Sequence, residues 1–139
     1  MGHTPLYDDT LARLTLPLAV RTNGTVNGTA VDKADPSGGY DGFTTALLII
    51  LTGTITDGTH TVTVQDSDDG SSFAAAAAEH VRGGPVALTS ANSNAVLELG
   101  YDGPKRYIRA SVTTSGATTG GTVGAVVLLG GETSRPVKR

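Results

Sequence analysis

The stretch His60-Thr61-Val62-Thr63-Val64-Gln65 decides the fold class. Apolar and polar side chains alternate along it, so in an extended chain Val62 and Val64 face one way while Thr61, Thr63 and Gln65 face the other. A helix would scatter the same residues around its circumference. The alternation therefore predicts a strand with one dry face and one wet face. It recurs in Ala95-Val96-Leu97-Glu98-Leu99, and again where Ile108, Ala110 and Val112 oppose Tyr107, Arg109 and Ser111. Two sheets packed on one core produce this pattern.

Working outward, strands are expected at 25–31, 43–52, 59–65, 95–99, 106–113 and 123–129, with a looser pair within 73–88. The chain carries 19 glycines. Asp57-Gly58, Asp69-Gly70, Asp102-Gly103-Pro104 and Gly120-Gly121 supply turn chemistry between these runs, because Gly adopts positive φ and Asp bonds nearby backbone N–H groups. The alanine run 74–78 is too short to hold a helix alone and is expected as strand or loop. The expected fold is all-β: an antiparallel β-sandwich, jelly-roll or immunoglobulin-like, over residues 23–131, with an extended N-terminal arm over 1–22 and a basic tail over 132–139.

The length of 139 residues suits one domain. Hydrophobic residues make up 38% and aromatics 4%, with no Trp, so the core must be built from Val, Leu, Ile and Ala. Such a core is thin, and the absence of Cys removes disulfides and thiolate zinc as supports. Association with further subunits is the support left. A net charge of −3 argues against a nucleic-acid binder, which would present a basic face. The acidic start of the chain does not resemble an export signal, and the longest apolar run, Ala46 to Leu51, is far below the roughly 18–20 residues of a membrane span. Neither a membrane nor a nucleic acid is an expected partner.

Two runs break the alternation. Ala46-Leu47-Leu48-Ile49-Ile50-Leu51 and Val123-Gly124-Ala125-Val126-Val127-Leu128-Leu129 are apolar on both faces. Leaving large aliphatic side chains in water forgoes about 1.5–3 kcal/mol each, so something is expected to cover the outer face. The candidates are the N-terminal arm or another subunit. In the arm, Asp8, Asp9 or Thr10 can cap a helical turn bearing Leu11 and Leu14. Beyond it Leu14, Leu16, Leu18 and Val20 alternate, and Pro17 fits only an edge strand. Leu6, Tyr7, Leu11, Leu14, Leu16 and Leu18, together with Arg135, Lys138 and Arg139 of the tail, are the candidate partner-binding residues.

Residues that could carry chemistry favour plainer readings. Asp66-Ser67-Asp68-Asp69-Gly70 lacks the EF-hand spacing, since Gly falls fifth and Ala77 stands twelfth, and it fits a turn closed by Asp side chains. His3, His60 and His80 have no metal-ligand spacing and are expected at surface or turn positions. No nucleophile elbow or phosphate-binding glycine loop follows any strand. Asn23-Gly24-Thr25 and Asn27-Gly28-Thr29 read as turn chemistry. No enzyme activity and no cofactor or metal are expected.

The order Asn27-Gly28-Thr29-Ala30-Val31-Asp32, Tyr40-Asp41-Gly42, VTVQDSDDGSSF (62–73), KRYIRASV (105–112) and VVLLGG (126–131) resembles small virion structural proteins of tailed bacteriophages. The resemblance covers most of the chain beyond Thr22. It implies a capsid decoration (cement) protein that binds the major capsid protein on the outer shell, bridges capsomers and forms a homo-oligomer, a trimer being favoured. The protein would be made in the host cytoplasm and reside on the virion. A tail or head-fibre component is the alternative. A carbohydrate-binding sandwich ranks last, because Tyr7, Tyr40, Tyr101 and Tyr107 without Trp are a poor supply of sugar platforms.

Overall fold

The computed structural model describes residues 5–35 and 42–131. Alternating side chains put them into strands β1 (Leu11–Arg21), β2 (Gly24–Asn27), β3 (Val31–Asp32), β4 (Thr45–Ile55), β5 (Thr59–Ser67) and β6 (Ala74–Ala75). Five more follow: β7 (Val81–Arg82), β8 (Val86–Leu88), β9 (Val96–Tyr101), β10 (Tyr107–Ser115) and β11 (Gly121–Gly130). One helical turn, α1 (Leu6–Asp9), precedes them. A five-stranded sheet runs β1-β11-β4-β9-β7, and a six-stranded sheet runs β2-β10-β5-β6 with β3 added to β10 and β8 to β5. All pairings among the described strands are antiparallel.

The two sheets pack into an all-β sandwich. Leu48 and Ile50 of β4, Leu99 and Tyr101 of β9, and Val123, Val127 and Leu129 of β11 meet Val62, Val64, Leu88, Ile108, Ala110 and Val112 from the facing sheet in one cluster. These are the inward positions of the period-two pattern. His60 belongs with them: it lies within β5 and is fully buried, not at a surface or turn position as expected, because its parity is that of Val62 and Val64. Its ring satisfies both nitrogens locally, with Nδ1 2.8 Å from Thr114 Oγ1 and Nε2 3.1 Å from the Asp57 carbonyl.

The strand expected over 25–31 is interrupted at Gly28. Thr15 of β1 reaches across from the other sheet, its hydroxyl donating to the Thr29 carbonyl at 2.8 Å and accepting from the Ala110 N–H at 3.2 Å. A Cβ at Gly28 would lie 2.5 Å from the Thr15 carbonyl oxygen, so only glycine allows the crossing.

Residues 11–21 of the expected arm form β1, registered along β11 from Leu11 opposite Leu129 to Arg21 opposite Gly121. The register slips twice, between Leu14 and Leu16 and between Leu16 and Ala19. Pro17 lies in the second slip, on an edge strand where its missing N–H breaks no central ladder. Gly124 lies opposite this bulge, and a Cβ there would come within 2.8 Å of Leu18 Cα. Buried Arg21 ties the bulge down, donating from Nε to the Val123 carbonyl at 3.2 Å and from Nη2 to the Pro17 carbonyl.

Candidate docking surface

The two runs that are apolar on both faces, β4 and β11, lie side by side in the five-stranded sheet. Their outward residues form cross-strand rows, which the flanking strands β1 and β9 extend. One row is Ala12, Leu128 and Leu47; the next is Leu14, Val126, Ile49 and Glu98; a third joins Gly124, Leu51 and Val96, with Leu18 brought over Gly124 by the bulge. Leu14, Leu18, Val20 and Val96 are 57–62% exposed and Leu51 is 39% exposed. Glu98 is the single charge within the rows. At the end of the first row, Leu47, Leu128 and Gly130 border a depression of about 410 Å³ closed by Arg82, which pairs with Asp102 at 3.0 Å.

The outer face of the six-stranded sheet has the opposite chemistry. Its rows are Thr25, Thr113 and Thr61, then Asn27, Ser111 and Thr63, then Arg109 and Gln65. Their side chains bond one another: Ser111 to Asn27 at 2.8 Å, Arg109 to Gln65 at 2.8 Å, and Thr25 to Thr113 at 3.1 Å. This sheet carries its own polar cover, whereas the aliphatic sheet has none among the described residues.

The candidate partner-binding residues divide. Leu6 and Tyr7 project from α1, 69% and 67% exposed, and Leu14 and Leu18 stand on the aliphatic face. Leu11 and Leu16 are buried in the chain's own core and are withdrawn from any docking role. Arg135, Lys138 and Arg139 lie outside the described residues. The N-terminal segment extends the sheet edgewise as β1 and so widens the apolar face instead of covering it. Val96 escaped sequence reading because it alternates in phase with Glu98; only the pairing of β9 with β4 sets it beside Leu51.

The acidic loop is a closed turn. Asp69 Oδ1 accepts the N–H groups of Ser72 at 2.9 Å and Ser71 at 2.8 Å and the Ser67 hydroxyl at 2.8 Å, and these donors hold its carboxyl down at about 2. Asp68 pairs with Lys105 at 2.6 Å. Asp66 accepts the Tyr101 hydroxyl at 2.8 Å, and burial followed by this bond pushes the Tyr101 phenol up. Lys33, buried over the Tyr101 ring with Nζ 5.1 Å from its centroid, donates to the Gly103 carbonyl at 2.8 Å, and burial lowers its affinity for a proton. The loop, Pro104 and Lys105 line a hollow of about 430 Å³ whose carboxylates are thus already engaged. Among the described residues no cluster of three or more His, Asp or Glu side chains is placed to hold a metal ion.

Comparison with protein-family models finds no match to this chain, and comparison with curated proteins finds none.

Proposed function

We propose that the chain is a non-enzymatic structural subunit of a tailed-bacteriophage virion, a capsid decoration protein that binds the outer shell and stabilises the head by bridging capsomers. The observation that carries this is the aliphatic outer face of the five-stranded sheet, which a solitary copy leaves in water. A patch of this size on a small domain marks a surface made to be covered by protein. The exposed Leu6 and Tyr7 side chains of α1 add a second apolar contact, offered to the major capsid protein.

Bridging capsomers requires buried area and a rigid body to transmit load, and a sandwich with a continuous core provides the latter. Co-sedimentation with undecorated phage shells tests the proposal. Saturable binding, and shells that survive heating better when occupied, are the expected results. Shells that neither bind the protein nor gain heat resistance would refute it. Replacement of Leu6 by serine is expected to weaken binding without lowering the melting temperature, because its side chain is 69% exposed.

A further inference from the structure

We infer that the aliphatic face of the five-stranded sheet is covered by the same face of a second copy of this chain, two sandwiches stacking sheet on sheet about a two-fold axis. The inference rests on the proposed structural role and names the occupant of this one face.

Three observations select a second copy. The first is area. With about 170 Å² for a fully exposed Leu or Val, the five exposures given above amount to about 470 Å², and the half-buried Leu47, Ile49, Val126 and Leu128 bring the face to about 600 Å² per copy, against about 800 Å² per partner in a standard interface. Two copies thus reach about 1,200 Å², where specific association begins. The second is composition. Interfaces between unlike proteins concentrate Tyr, Trp and Arg, whereas permanent contacts between like subunits resemble a domain core cut in half. These rows hold Leu, Ile and Val, the repertoire that already joins the two sheets inside each copy. Sheet faces of that kind pack about 10 Å apart with strands nearly aligned, and a face can meet its own copy in this way. The third is charge. Glu98 terminates its row on β9, so a two-fold stack can leave it at the rim, and Arg82 and Arg13 already hold Asp102 and Asp35 at 3.0 Å. The hydroxyl face of the other sheet then remains in water.

Sedimentation equilibrium of the whole chain from about 1 to 100 µM is expected to give twice the 14.0 kDa chain mass, with micromolar or tighter dissociation. Leu14→Lys with Val96→Lys, both solvent-facing in one copy, is expected to weaken the pair at least about 100-fold while leaving circular dichroism unchanged. Thr113→Lys on the hydroxyl face is expected to leave it intact. Hydroxyl-radical footprinting of the unaltered protein reads the same face without any variant: Leu14, Leu18 and Val96 are expected to be protected as concentration rises. A monomer at about 100 µM, a trimer, or pairing that survives the double substitution without footprint protection would overturn the inference. So would a monomer that binds phage shells and loses that binding on the double substitution, since the shell would then be the occupant. A dimer indifferent to shells would refute the virion role and leave the pairing standing.

Discussion

Replacing Gly124 and Gly130 by alanine adds the same methyl group to the same strand, yet the two substitutions are expected to move stability in opposite directions. Removing a glycine restricts the unfolded chain and by itself favours the folded state by about 0.4–1 kcal/mol wherever the backbone is ordinary. At Gly130 a new Cβ would find only Thr45 Cγ2, at 3.9 Å, so nothing opposes that gain. At Gly124 it would lie 2.8 Å from Leu18 Cα and 2.9 Å from Leu18 N, backbone atoms that cannot swing aside. Overpacking of this kind costs about 1–3 kcal/mol, so the balance turns to a net loss of about 0.5–2 kcal/mol. At about 3–4 °C per kcal/mol for a chain of this size, Gly130→Ala is expected to melt about 1–4 °C higher and Gly124→Ala about 2–8 °C lower. Thermal melts and urea midpoints, read against amide exchange over residues 14–19, test both. A rise in both variants would mean that the β1 bulge does not rest on Gly124, and the account of how the edge strand is seated would fall.

Four further outcomes are expected. Tyr101→Phe removes the hydroxyl donor to Asp66 and is expected to cost about 1–3 kcal/mol in urea unfolding; a loss below about 0.5 kcal/mol would show that the carboxylate finds another donor. Asp69, held at about 2, and Asp57, lowered chiefly by the Gly120 N–H and then by Thr119, ionise more readily folded than unfolded. Their stabilisation is therefore complete above the unfolded value of 3.8 and is lost as pH falls through the folded values. Unfolding midpoints should drop between about pH 4 and pH 2, and less steeply in Asp69→Asn; equal slopes would contradict the turn geometry. Removing residues 1–21 deletes β1 with core residues Leu11 and Leu16 and should abolish the cooperative melt; a cooperative transition that persists would show that β1 is not part of the core. Arg21→Met, which frees the Pro17 carbonyl, is expected to speed amide exchange in the β1 bulge more than elsewhere, and uniform acceleration would argue against that tether.

The sandwich was legible because its period-two runs lie where the strands lie: parity alone sends Val62, Val64, Ile108, Ala110 and Val112 inward. The same parity would have placed His60 in the core, had the habit of reading His as a surface residue not intervened. Apolar runs at 46–51 and 123–129 announced an exposed aliphatic face, but not its outline. That outline depends on strand order, which brings Leu14 and Val96 to either flank through pairings more than 40 residues apart in sequence. Leu11 and Leu16 could not be told from Leu14 and Leu18 in advance, because two register slips change which leucines face inward. The break at Gly28 was equally hidden, since it answers to the Thr15 side chain and not to any local turn signal.

The seating of β11 between β1 and β4 has a consequence for synthesis. As the chain leaves the ribosome, the earliest strand must wait for a partner more than a hundred residues behind it. Long-range pairing of this sort is slow, and it leaves sticky aliphatic segments unprotected meanwhile. Nascent chains stalled before Gly121 should accordingly be cut readily by protease and held by chaperones, with resistance arriving abruptly once Gly130 has cleared the exit tunnel; gradual resistance would show that the earlier strands close on their own.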